Sequence, residues 1–128
     1  MTSQGSPHAR FRRALASGNP TLVVAAAAEV GRLSLAEALA VTLVFLPGDR
    51  ERYDRACVRW HARWCLEVRP RPDEAGLALA ALRALPGPAR DGGGEALTEL
   101  LESARARRRR PRARRLARRP ITRQPGFT

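Results

Sequence analysis

The stretch Asp49-Arg-Glu-Arg-Tyr-Asp-Arg-Ala-Cys-Val-Arg-Trp-His-Ala-Arg-Trp-Cys-Leu-Glu-Val68 decides how this chain folds. It holds both tryptophans, the only tyrosine, both cysteines and one of the two histidines. Pro47-Gly48 precedes it, and Pro70 and Pro72 close it. It therefore reads as one long helix with Asp49 at the N-cap and Glu51 in the first turn. At about 100° per residue, Tyr53, Cys57, Trp60, Trp64 and Val68 share one stripe. Arg52, Arg55, Arg59 and Arg63 share another. Glu51–Arg55 and Arg63–Glu67 stand at i,i+4, the spacing of helical ion pairs.

Each stripe has two readings. Large rings bury much area and a small domain needs that area, so the aromatic stripe reads first as core. The alternative is a ligand pocket lined by Tyr53, Trp60, His61 and Trp64. The arginine stripe reads first as a solvated flank, with its charged heads wet and its stems covering the helix. The alternative is a surface for phosphate or an acidic partner. Cys57, His61 and Cys65 at i, i+4 and i+8 suggest a metal site, but eight residues of helix rise roughly 12 Å. A zinc ion needs ligands at about 2.0–2.3 Å, so one ion cannot touch both sulfurs. No metal and no cofactor is expected, and the two cysteines read as reduced thiols of a cytoplasmic protein.

Composition sharpens this picture. The chain has 128 residues, enough for one small domain, and a net charge of +12. All 24 basic residues are arginine. That bias, with abundant alanine, leucine, glycine and proline, is what GC-rich codons favour. Up to Ala104 there are 13 arginines against 12 acids; beyond it there are 11 arginines and no acid. The globular part is electrically ordinary and the C-terminus is polycationic. Ala38 to Pro47 is ten uncharged residues, short of the roughly 20 a membrane span needs. Ser17-Gly18-Asn19-Pro20 interrupts the N-terminal apolar run and argues against a secretory signal.

Helix punctuation is dense on either side of the central stretch. Ser6-Pro7 and Asn19-Pro20 each place a capping residue before a proline at the first helical position. The first helix carries Phe11 and Leu15 inward and ends at Gly18. The second, Pro20 to Val30, is apolar nearly all round, which predicts burial on several sides. Ser34-Leu-Ala-Glu37 is a capping box opening a third helix to Leu46, with Leu35, Leu39, Leu43 and Leu46 inward. After the central helix, Asp73 is expected to cap a helix from Glu74 to Leu85, with Leu77, Ala81 and Leu85 on one side and Leu82 beside them. Ala89 to Gly94 reads as a flexible connection. A sixth helix, Glu95 to Ala106, turns Leu97, Leu100, Leu101 and Ala104 inward.

No strand signal appears. The expected fold is all-α: a compact bundle of five to six short helices over residues 7–106, a disordered N-terminus at 1–6 and a basic, disordered tail at 107–128. Arg107, Arg108, Arg109, Arg110, Arg112, Arg114 and Arg115 crowd the start of that tail, with Pro111 among them. Like charges at i,i+4 and the prolines oppose a free helix there. The run reads as an electrostatic arm for nucleic acid, as a charged terminus without a partner, or as a product of GC-rich codons in a shifted frame.

The pattern Phe11-Arg-Arg-Ala-Leu15, Gly18-Asn-Pro20, Leu35-Ala-Glu-Ala-Leu39, Arg52-Tyr53 and Val58-Arg-Trp-His-Ala-Arg-Trp-Cys-Leu-Glu67 resembles a group of small actinobacterial proteins of unassigned activity. The likeness runs from about residue 11 to 101. It implies an all-helical domain and supplies no site.

The chain lacks the P-loop, the nucleophile elbow and the zincin helix. The function expected is therefore a non-enzymatic protein-interaction module. The alternative is a nucleic-acid binder. It would use the tail and the arginine face, with the turn at Pro47–Asp49 opening a recognition helix that carries Arg50, Arg52, Arg55 and Arg59.

Overall fold

The structure, a computed structural model, describes residues 5–87 and 90–109. These form six helices: α1 (Pro7–Ser17), α2 (Pro20–Val30), α3 (Leu35–Val44), α4 (Arg50–Val68), α5 (Pro72–Ala84) and α6 (Arg90–Arg109). No strand occurs among the described residues. Residues 1–4 and 110–128, with most of the expected N-terminus and tail, lie outside them.

Local chemistry sets the helix starts. The Ser6 hydroxyl accepts from the Ala9 amide at 3.2 Å, and the Asn19 side chain from the amides of Thr21 and Leu22. Ser34 and Glu37 form the full reciprocal capping box, and Asp49 accepts from the Arg52 amide at 3.0 Å. Each such cap contributes about 1 kcal/mol. Gly18 closes α1 in the left-handed conformation at φ 68°, which lets the chain reverse within two residues.

The core has two parts joined by α3. Phe11, Ala14 and Val23 form a small cluster between α1 and α2, with Val41 and Val44 of α3 against it. The larger cluster gathers around α4: Phe45, Tyr53, Cys57, Trp60, Trp64, Ala78, Ala81, Leu82, Leu85, Leu97 and Ala104. Tyr53, Trp60 and Trp64 are almost wholly removed from water. The aromatic stripe of the central helix is thus the main core, each ring hiding roughly 150–250 Å².

Four expectations are corrected. Asp73 does not cap α5. The N-cap is Arg71, which makes no side-chain cap bond, and Pro72 occupies the first turn. Proline forces the residue before it into an extended conformation, and Arg71 at ψ 155° obeys. Leu77 is 57% exposed, and Ala78 takes the inward place instead. The rotation of α5 is fixed by its hydrogen bonds to α4.

The second helix is less buried than its apolar sequence predicts. Only Val23 is buried, and Leu22 is 53% exposed. Among the described residues this helix packs mainly on α1 and α3, at the edge of the bundle. Finally, α6 begins at Arg90, so the expected flexible connection is largely helical, and it continues to Arg109, past the boundary expected at 106. Packing along α5, with Leu97 and Ala104 buried, offsets the cost of helical glycine, about 1 kcal/mol each. At the other end Arg107 pairs with Glu74 of α5, which neutralises one of the arginines whose mutual repulsion opposes a helix.

One hydrogen bond carries much of this arrangement. Leu82 lies near the C-terminus of α5, where carbonyls lose their helical partners. Four residues on stands Pro86, which has no N–H to donate. The Tyr53 hydroxyl donates to the Leu82 carbonyl instead, at 2.5 Å, inside the core. Replacing Tyr53 by phenylalanine leaves that carbonyl buried and unsatisfied, with an expected loss of about 1–3 kcal/mol of stability. Urea denaturation measures it, with Leu66→Ala on the exposed flank expected to stay within about 0.5 kcal/mol of the parent.

Candidate interaction groove

The two stripes of α4 have different fates. On the aromatic side, Trp60 and Trp64 stack with centroids 5.9 Å apart and planes 11° from parallel. The Trp60 indole N–H donates to the Leu35 carbonyl at 2.8 Å. Both tryptophans border a cleft of about 320 Å³ closed by Leu35 and Leu101, with Glu102 and Arg105 among its lining residues. Tyr53 and His61, grouped with them as a pocket in the sequence reading, do not line it. Tyr53 points to Leu82, and His61 places Nε2 2.7 Å from the Ala75 carbonyl. A carbonyl only accepts, so Nε2 carries the proton. Both side chains hold neighbouring helices.

The arginine side builds a second depression, of about 470 Å³. Arg52, Arg55, Arg59 and Arg63 form one wall. The floor and opposite wall come from Val24 of α2 and from Ala38, Val41, Thr42 and Phe45 on or next to α3. Among the described residues that line it, none is acidic. Ala38, Val41, Thr42 and Phe45 follow the 3–4 spacing of a helical face, so this wall was present in the sequence. A competing stripe of leucines on the same helix hid it. Because α3 is apolar nearly all round, periodicity alone does not say which stripe meets which neighbour.

The four guanidinium groups are not equivalent. Arg63 is a structural staple: Nε donates to Glu67 at 2.7 Å and Nη2 to the Leu33 carbonyl at 2.6 Å. Arg52 lies over the Phe45 ring, 4.6 Å from its centroid, a cation–π arrangement. The expected Glu51–Arg55 pair does not form; Arg50 and Asp54 pair instead at 3.4 Å. Arg55 and Arg59 are exposed and make no ion pair or hydrogen bond among the described residues. Among the ion pairs of the described residues, Glu29 joins Arg10, Glu67 joins Arg63, and Glu74 joins Arg71 and Arg107. The groove thus combines an apolar floor with two uncompensated positive charges.

Arg107 is engaged by Glu74, which ties α6 to α5. Arg108 and Arg109 belong to the last turn of α6. Arg110, Arg112, Arg114 and Arg115 lie outside the described residues. Among the described residues, no three His, Cys, Asp or Glu side chains group as a metal would require. Nor is any described helix long and apolar enough to cross a membrane.

Cys57 and Cys65 are free. Burial pushes both thiols up, which keeps them in the unreactive protonated form at neutral pH. Cys65 Sγ sits 3.8–3.9 Å from the His61 ring nitrogens. Burial likewise raises the Tyr53 phenol.

These shifts have a consequence at alkaline pH. Thiols ionise ordinarily near 9.0, and here the folded state holds its protons to higher pH than the unfolded chain does. Above pH 9 the unfolded state binds fewer protons, so stability falls as pH rises. The chain has no lysine, and this window reports on two cysteines and one tyrosine alone. The melting temperature is expected to drop steadily between about pH 9 and 11, with a shallower slope in Cys57→Ala. Maleimide labelling at pH 7.5 is expected to reach Cys65 before the buried Cys57, and both at once in denaturant. No family model matches this chain, and comparison with curated proteins and with solved structures yields no match.

Proposed function

We propose that this chain is a non-enzymatic protein-interaction module whose working surface is the groove between α4 and the α2–α3 side. The observation that supports this reading most is the pairing of an apolar floor with Arg55 and Arg59, exposed and without counter-charge among the described residues. Arginine is favoured at protein interfaces because its planar fork binds carboxylates while its stem covers apolar surface. The groove lies on regular helices, so its geometry is held before a partner arrives. A cytoplasmic location belongs to the same proposal, supported by two unpaired cysteines. Kinship with the actinobacterial group is likewise proposed, on the sequence pattern of residues 11–101.

Nucleic-acid binding through the same arginines and the basic C-terminus is the alternative. It rests on charge. Arg52 is occupied by Phe45, Arg63 by Glu67 and Leu33, and Arg107 by Glu74, which leaves fewer open forks than a row of arginines in the sequence suggests.

Selection of a random peptide display library on the full chain tests the module reading. The Arg55→Glu/Arg59→Glu double variant serves for counter-selection, because it keeps the polycationic C-terminus and removes the groove charge. Peptides that bind the parent and not the variant are the expected outcome. Enrichment of none defeats the reading. Duplex DNA binding that survives physiological salt and disappears in the same variant turns the assignment towards nucleic acid.

A further inference from the structure

The groove also constrains what fills it, provided it is a docking site for protein. We infer that its occupant is an acidic amphipathic helix of a partner, lying along α4. Its apolar stripe would meet Val24 and Val41, and its carboxylates would face Arg55 and Arg59.

Three features lead there. The first is spacing. Arg52, Arg55, Arg59 and Arg63 follow the 3–4–4 rhythm of a helix edge and cover roughly 16 Å of its length. A partner helix with acids at i, i+3 or i+4, and i+7 presents charges at the same intervals. The second is charge. The wall holds four guanidinium groups and no carboxylate, and Arg55 and Arg59 have no partner among the described residues. Carboxylates satisfy such forks in bidentate fashion. Arg63 is already held by Glu67 and Leu33, so it bounds the site more than it binds.

The third is the floor. Val24 and Val41 are half-buried and offer apolar surface that a phosphate backbone has nothing to cover with. A peptide adding as a β-strand would need a sheet edge to pair with, and no strand exists among the described residues. A groove of about 470 Å³ between helices suits the few apolar side chains that a helix projects from one face.

The test uses the full chain and two fluorescein-labelled synthetic peptides of identical composition. In one, leucines form a single helical stripe flanked by glutamates at i, i+3 and i+7. In the isomer, the glutamates sit on the opposite face. Anisotropy is expected to show the first binding at least tenfold tighter than the isomer. The Arg55→Glu/Arg59→Glu variant is expected to lose at least tenfold for the first peptide. A charge-reversed peptide with arginine in place of glutamate is expected to bind that variant more tightly than the parent.

Equal binding of the isomer overturns the inference, because it assigns the affinity to unspecific attraction by the basic C-terminus. Unchanged binding by the variant, or failure of the reversed peptide to prefer it, overturns it as well. So does duplex DNA binding that depends on Arg55 and Arg59 when neither peptide binds. The two readings fail separately. Library peptides that need the groove but lack the acidic 3–4 pattern sink the acidic helix and leave the module standing.

Discussion

Four side chains of one helix reach the backbone carbonyls of its neighbours, and the rest of the structure depends on them. Tyr53 donates to Leu82, Trp60 to Leu35, His61 to Ala75 and Arg63 to Leu33. The constraint behind this is general. Large amphipathic rings supply the apolar area a small domain needs, but each brings a polar atom that is costly to bury without a partner. Among the described residues, no buried side-chain polar atom is left without one. Placing the rings therefore places the helices that carry the acceptors.

This explains the rotation of α5. Ala75 and Leu82 are seven residues apart, two turns along one helical face. With both carbonyls bonded to α4, Ala78 between them must face α4, and its small side chain lets the helices approach. Leu77, one residue away, turns outward. The hydrophobic count alone favours Leu77 over Ala78 as core, and hydrogen-bond geometry reverses that order.

The same event creates the groove. Once the aromatic stripe is committed to the core, the arginine stripe is carried to the edge of α4 facing α2 and α3. There Arg52, Arg55 and Arg59 stay exposed. Arg63 is drawn into a staple, Arg52 settles on Phe45, and Arg55 and Arg59 are left beside an apolar floor. Among the described residues no ion pair compensates Arg55 or Arg59. A nominal balance of 13 arginines against 12 acids up to Ala104 conceals this uneven local distribution.

The sequence by itself determined the all-helical class, the starts of four helices and the inward stripe of α4. These are local matters: Ser6, Asn19, Ser34 and Asp49 each act on amides within three residues, and helical periodicity selects a stripe wherever polar residues mark the other side. Only the tertiary structure decided which face of α3 and α5 meets α4, how far α2 stays exposed, and that α6 runs through three glycines to Arg109. In α2 and α3 the apolar residues go all round, so no local pattern selects a face. In α5 and α6 the deciding partners are Tyr53, His61 and Glu74, which lie 14 to 33 residues away in the chain. A property set by contact across such separations has no signature in the residues that display it.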